Sequence, residues 1–317
     1  MTLTWEDRPI SLRFMLGEKP LFAVRFNVTR LSGHFSELPA DPDDQVRQRQ
    51  ISKKSDGIFI RSQPVSETLL RIKKLPFAIR YVPAQYKHYY TDLTGNFEDY
   101  QKSLSKKQKA EILRMIRKLK EMSGGELDLR QYKTVEDMAD FYKYAGEISA
   151  KTYQEKLLNV GFPKGEAVIK NLNEEAARNE VYGFVLFLNN TPIAYSYGRL
   201  RDKILFSAYL GYDPEYSKYK PGSVLTYNVM EKLFADPAVR MYDHGQGEGF
   251  HKKFFATGCA QCCDLYYFRP TLRNIFMVLL HTCFERVSNG MTRLADKIGI
   301  KVKLKKYFRR KSSMKRD

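Results

Sequence analysis

The sequence is poorest in the features that would place a chain outside the cell or across a membrane. Its 317 residues hold only four cysteines, Cys259, Cys262, Cys263 and Cys283, so no disulfide scaffold is encoded. "CAQCC" contains one Cys-x-x-Cys, but no second Cys or His pair follows at ligand spacing, and no metal is expected. The thiols read instead as buried, reduced groups at the start of a strand. The opening "MTLTWEDRPISLRF" has no apolar h-region, and the longest apolar run, "NIFMVLLHTCF", falls short of the roughly 20 residues that span a bilayer. A cytoplasmic protein is expected.

Two phosphate-binding signatures are also missing. There is no Gly-x-x-x-x-Gly-Lys-Ser/Thr, and the Gly-x-Gly-x-Gly in "YDHGQGEGFHKKFF" (Tyr242–Phe255) is not the dinucleotide fingerprint. Acidic residues are in deficit. Lys and Arg number 54 against 36 Asp and Glu, a formal charge of +18 that favours anionic partners. Much of the excess lies between Lys301 and Arg316, a basic tail behind a partly apolar helix from Thr271. That tail reads either as a solvated extension or as a peripheral contact with anionic lipid at the inner membrane surface.

What is present is a chain able to fold: 43% of residues are hydrophobic. Short strands are expected in the first ninety residues, at Leu21–Val28 and Phe77–Ala84, around a long polar loop from Ser36 to Gly57. Phe97, Tyr100, Leu104, Leu113, Ile116 and Leu119 predict one helix over 97–122, stopped by Gly124 and Gly125. Beyond it the pattern reads β-α-α-β-β-β-α-β-α-β from Glu126 to Phe268, with hairpin turns at "NNT" and "RD". Thr134 is expected to cap the first helix of that run. The expected organisation is an N-terminal lobe over 1–125 including the linking helix, a C-terminal lobe over 126–270, and a helix with the basic tail over 271–317.

"YKPGSVL" (Tyr219–Leu225) has a strand-side loop, a proline and a glycine just where a helix begins, the place where unpaired N–H groups hold an anion. Three stretches then carry a resemblance. "YTDLTGNFEDYQKSLSKKQKAEILRMIRKL", "TPIAYSYGRLRDKILFSAYLGYDPEYSKYKPGSVL" and "YDHGQGEGFHKKFF" come in the order found in the BioF2-like (CelD-like) acetyltransferase group of the GNAT fold, related to the FemABX peptidyltransferases. The chain resembles that group over about residues 90–268. Two positions depart from its pattern: His251 replaces a tyrosine before Lys252, and Glu248 stands at the acidic position.

The resemblance implies a two-lobed α/β fold with a mixed central sheet and flanking helices. It implies N-acyl transfer from acetyl-CoA or another acyl-CoA to a small or sugar-type amine acceptor, in a cleft between the lobes. The strand Lys203–Tyr212 would splay from Val239–Asp243 and offer backbone at Leu210 and Gly211 to the pantetheine arm. Lys220, Gly222, Ser223 and Val224 would face the pyrophosphate. An amine attacks only when neutral, which calls for a base, and Asp243, His244, Glu248 and His251 are the candidates. Lys252 matches the cation that steadies the developing oxyanion, and Tyr209 would lie near the thioester. Each has a structural alternative: Asp243 as a turn residue, Glu248 as a helix-dipole partner, His251 as a core histidine, Tyr209 as packing. A FemABX-like use of aminoacyl-tRNA, favoured by the basic helix and the net charge, is the alternative activity. A non-catalytic polyanion- or membrane-binding module is a second.

Overall fold

The computed structural model describes residues 3–17, 19–152 and 161–297. The basic tail lies outside them. The described residues form two compact units: one of those up to Gln85 together with those from Gln261 on, the other of those from Tyr86 to Ala260. These divisions and the expected boundary at 125/126 fall in different places. The linking helices pack into the second unit, so the compact unit extends upstream of that boundary as far as Tyr86.

The first unit opens with a long hairpin, β1 (Thr4–Leu16) and β2 (Lys19–Ser32), where the sequence suggests only a short strand. Strand β1 is charged on its outer positions, but Leu12 and Phe14 alternate into the core. The polar segment after it is not one loop. Asp41 caps helix α1 (Pro42–Arg49), with Pro42 at the first helical position and the Asp41 carboxylate accepting from Asp44 N–H. Strands β3 (Gly57–Pro64), β4 (Ile72–Lys74) and β5 (Ile79–Tyr81) follow, and β5 is shorter than the Phe77–Ala84 expected. Within this unit β2 pairs with β3 in parallel, and the late strand β12 (Gly258–Phe268) pairs antiparallel with β3 and β5.

The second unit carries the functional pattern. Strand β6 (Gln85–Asp92) leads to α2 (Phe97–Ser103) and α3 (Lys106–Met122). The expected single helix is broken because Leu104 adopts an extended conformation, burying its side chain, and α3 restarts after Ser105. Leu113, expected inward, is exposed; Ile112 and Met115 take the core positions beside Ile116. After β7 (Asp128–Tyr132), α4 spans Met138–Lys151. Its start is set by Asp137, whose carboxylate accepts from Lys133 and Thr134 N–H, and not by a Thr134 cap.

Helix α5 (Glu166–Ala177) and strands β8 (Val181–Leu188), β9 (Thr191–Arg201) and β10 (Ile204–Tyr212) follow as expected. The β9–β10 turn falls on Asp202–Lys203, both in the left-handed region, as are Asn189 and Asn190 in the preceding hairpin. Next come α6 (Pro221–Phe234), β11 (Met241–Gln246) and α7 (Phe250–Phe255). The sheet order is β6-β11-β10-β9-β8-β7, with only β10–β11 parallel.

Every residue of β8 is buried because both sheet faces are covered. Tyr182, Phe184 and Leu186 face a core shared with α3 and α6. Val181, Val185 and Phe187 face Met138, Phe141 and Ile148 of α4. This is the mixed α/β sheet with flanking helices that the resemblance implied.

The last element, α8 (Leu272–Lys297), belongs to the first unit. Cys262 and Cys263 are buried in β12 as expected, but Cys259 and Cys283 are exposed. No grouping of three or more metal-ligating side chains occurs among the described residues.

One polar contact anchors the first unit. Arg80 is 7% exposed and donates to both oxygens of Asp43 at 3.1 and 2.9 Å, while Tyr267 donates its hydroxyl to the same carboxylate at 2.7 Å. Asp43→Ala strands a buried guanidinium, so a loss of about 3–5 kcal/mol is expected in denaturant unfolding of this unit. Asp43→Asn, which keeps an acceptor, should lose less.

Candidate active site

The site begins where two strands part. β10 and β11 pair in parallel only at Ile204–Met241, Leu205–Tyr242 and Phe206–Asp243. Beyond that both bulge. β10 skips a residue at Ala208 in its register with β9, and β11 skips one at His244 in its register with β6. An extra residue bends a strand and increases its local twist. From Ser207 onward β10 therefore keeps its β9 partner but has no strand on its other edge among the described residues. Of the residues there, Leu210 is exposed, while Gly211 lies against Tyr195, where a side chain at that position would collide with the ring. Tyr209 is half-buried and packs edge-on to Phe162 at 5.4 Å and beside Tyr197 at 6.2 Å.

Asp213 ends the strand. It is 1% exposed, accepts from Glu215 N–H and pairs with Lys151 at 2.8 Å. Lys220 then takes a left-handed conformation before Pro221 starts α6. Its carbonyl accepts from the N–H groups of both Ser223 and Val224, at 2.9 and 3.1 Å. Those two donors, expected to face a ligand, are therefore occupied, and Pro221 has none. Gly222 N–H is the donor left at this helix start among the described residues. The Lys220 ammonium pairs with Glu111 of α3 at 2.8 Å, which holds the Glu111 carboxyl below its ordinary range.

On the other side, Asp243 is 4% exposed and uses one oxygen twice, accepting from Gly245 N–H at 2.6 Å and contacting His88 Nε2 at 2.7 Å. It fixes the bulge from within. Gly245 (φ +79°) and Gly247 (φ +92°) occupy the left-handed region, whereas Gly249 is extended and precedes α7. The glycine run is thus a tight passage from strand to helix. It swings Lys252 back so that its ammonium donates to Gln246 C=O at 2.6 Å, and burial lowers the Lys252 pKa. Lys253 points outward and is exposed. Glu248 is also exposed, accepting from Tyr89 hydroxyl at 3.1 Å and lying 3.6 Å from Lys87 Nζ.

Two histidines are held in the same way. Thr226 of α6 donates its hydroxyl proton to Gly222 C=O at 3.0 Å, and its oxygen lies 3.0 Å from His251 Nε2. A hydroxyl has one proton, so toward the ring it accepts, and His251 carries its hydrogen on Nε2. Nδ1 keeps the lone pair and makes no hydrogen bond among the described residues. Thr91 does the same for His244, donating to Phe255 C=O and accepting from Nε2, each at 2.8 Å. Burial, with Lys252 nearby, pushes His251 down to about 4; burial and the neighbouring His251 push His244 to about 3. Both are neutral at pH 7.

The fold therefore gathers Asp243, His244, His251 and Lys252 at the parting of β10 and β11, with α6 attached through Thr226. Tyr209 lies in the aromatic core against α4, and Glu248 is at the solvent edge. His88, Thr91 and Thr226 are the members that sequence reasoning missed. Thr226 had a signal, as a polar residue on an otherwise apolar buried helix face.

A family model, "Acetyltransferase (GNAT) domain", matches residues 106–253. Residues 106–253 form a GNAT acetyltransferase domain. The protein is an acyltransferase. Two solved structures share the GNAT-domain chain's fold over most of its length. FemX is 11% identical, with a TM-score of 0.52 over 87% of this chain and 90% of that one. The C-terminal domain of a candidate lysylphosphatidylglycerol synthetase from Agrobacterium fabrum is 9% identical, with a TM-score of 0.50 over 89% and 88%. At such identity the likeness is one of fold. No curated protein matches the chain.

The depressed imidazoles of the GNAT domain make a pH prediction. An unfolded histidine takes up a proton near pH 6.5, while the folded ones resist until about 4 and 3. Between those values the unfolded chain binds more protons, so stability present above pH 6.5 is lost as pH falls, by up to about 1.4 kcal/mol per pH unit for each ring. Denaturant midpoints measured from pH 7 to 4 should show this decline, and His251→Gln should flatten it. An unchanged slope would contradict the assignment.

Proposed function

We propose that the protein is an N-acyltransferase of the BioF2-like group that takes its acyl group from an acyl-CoA, acetyl-CoA in the simplest case. The acceptor is the amine of a small or sugar-type molecule, and the work is done in the cytoplasm. The observation that carries this reading is the parting of β10 from β11 beyond Phe206, beside a helix start with one N–H unused among the described residues. An extended amide-containing arm suits such a strand edge, because it supplies the hydrogen bonds that the missing strand would have made. Leu210 and Gly211 lie on that edge. Gly222 N–H, with the Ser223 hydroxyl, suits a phosphate oxygen at the positive end of α6. Val224 contributes shape, its N–H being used by Lys220, and Lys220 adds a cation moderated by Glu111.

Bound there, the thioester would supply an acyl carbon open to attack: the amine's N–C bond would form, the C–S bond would break, and coenzyme A would leave as its thiol with the proton taken from the amine. The chain's own residues do the rest. His251 presents an unprotonated Nδ1 at neutral pH, fixed by Thr226, and accepts the proton that the amine sheds as its nitrogen commits its lone pair. Burial keeps that nitrogen unprotonated at neutral pH, and the amine proton it takes becomes acidic once the amine nitrogen is bonded to the acyl carbon. Lys252 brings positive charge to a partly desolvated place, where it stabilises developing negative charge on oxygen most strongly. Asp243 positions the passage through His88 and Gly245, and Glu248 at the rim suits contact with a cationic acceptor. Tyr209 backs the strand from the core.

The aminoacyl-tRNA alternative has one observation in its favour, the exposed basic face of α3 at Lys106, Lys107, Arg114, Arg117 and Lys118. Turnover decides between the two. Acyl-CoA with amine acceptors should give product. His251→Gln should lower kcat by about 10²–10⁴ and Lys252→Ala by about 10²–10³. Thr226→Val should lower kcat while Thr226→Ser restores it. Transfer from charged tRNA with none from acyl-CoA would replace this reading by the alternative.

A further inference from the structure

Helix α8 is amphipathic in the wrong sense for a helix whose outer side meets water. Its most buried positions are Asn274, Val278, His281, Thr282 and Ser288, between 1% and 7% exposed, and four of the five are polar, with half-buried Met277 and Phe284 packing beside them. Its outward positions are Leu272 (88% exposed), Phe276 (58%), Leu279 (52%), Val287 (58%) and Met291 (50%). With exposed Cys283 they recur at intervals of four, three, four, four and four residues, a single stripe along the helix.

The buried polar groups are satisfied, so the inversion is built in. Asn274 donates to the carbonyls of Asp56 and Arg269, at 3.2 and 3.1 Å. His281 donates from Nε2 to Arg13 C=O at 3.0 Å and accepts from Tyr81 hydroxyl at 2.6 Å. Ser288 accepts from Gly17 N–H at 2.8 Å, tying the tip of the β1–β2 hairpin to the helix. The hairpin adds to the exposed apolar surface through Leu21 and Phe22, and Phe22 packs edge-on to Phe284 of α8 at 5.8 Å. An apolar face of this extent calls for a cover.

Charge names the cover. Exposed Arg286 flanks the stripe, and of the sixteen residues from Lys301 to Arg316, nine are Lys or Arg and none is acidic. Two copies of a +18 chain meeting along this helix would bring those like charges together. An anionic lipid surface complements both the apolar stripe and the basic run. No described helix is long and apolar enough to cross a bilayer. A helix of this kind lies in the interface. We propose that the outward face of α8 docks the protein on an anionic membrane surface. This stands independently of the acyl-transfer reading.

The test is co-sedimentation of the full chain with phosphatidylcholine vesicles, with and without phosphatidylglycerol. The expected result is binding that requires phosphatidylglycerol and weakens with salt. F276D/L279D, at exposed positions, should weaken it at least about tenfold while leaving the circular dichroism spectrum unchanged. Replacing Lys301, Lys303, Lys305 and Lys306 by Gln should weaken it as well. Turnover with a soluble acceptor should be the same in all of these variants. No binding by the wild type, or equal binding by F276D/L279D, overturns the proposal. So does a wild-type dimer in solution that F276D/L279D dissociates, which would assign the stripe to a second copy.

Discussion

The parting of β10 and β11 after the Phe206–Asp243 pair is the constraint on which the site depends. A parallel pair that ran its full length would satisfy every backbone group and leave nothing for a ligand. Here two bulges, at Ala208 and His244, end it on both strands at nearly the same level. The opening is held by contacts deep in the second unit. Asp243 ties Gly245 N–H and His88 into the bulge on one side, and β9 keeps its ladder with β10 on the other. Because both faces of the sheet are packed, the edge cannot close by twisting without disturbing the cores against α3, α4 and α6.

The polar side chains at this place are organised by the arithmetic of single protons. Thr226 and Thr91 each spend their one hydroxyl hydrogen on a carbonyl, and each therefore dictates where a neighbouring imidazole carries its own. Burial then removes the option of a second proton on either ring. Since Thr226 bonds Gly222 as well as His251, the helix start and the imidazole are set by one side chain. The proposed phosphate-facing and proton-accepting groups are thus mechanically connected within α6 and α7.

Much of this was legible in the sequence because periodicity and turn chemistry are local. The strands from Val181 to Tyr212, the helix after Pro221 and the glycine passage before α7 were all marked by their own residues. Most of the failures share a cause, which is that partners distant in sequence decide them. The α2–α3 break follows from Leu104 seeking the core, and β1 is a strand because β2 pairs with it. Ser223 and Val224 lost their free N–H groups to a carbonyl three and four residues upstream, placed there by the left-handed turn at Lys220, which no spacing rule displays. His88 meets Asp243 across 155 positions. The inverted polarity of α8 was invisible until burial fixed which face looks inward.

The central claim is that the free edge of β10 and the start of α6 receive an acyl-CoA. Amide hydrogen exchange resolved to single residues, with and without acetyl-CoA, measures this without relying on turnover. The account predicts new protection between Ser207 and Gly211 and at Gly222, with the β8–β9 ladder unchanged. Saturating acetyl-CoA that left those amides exchanging as before would contradict it.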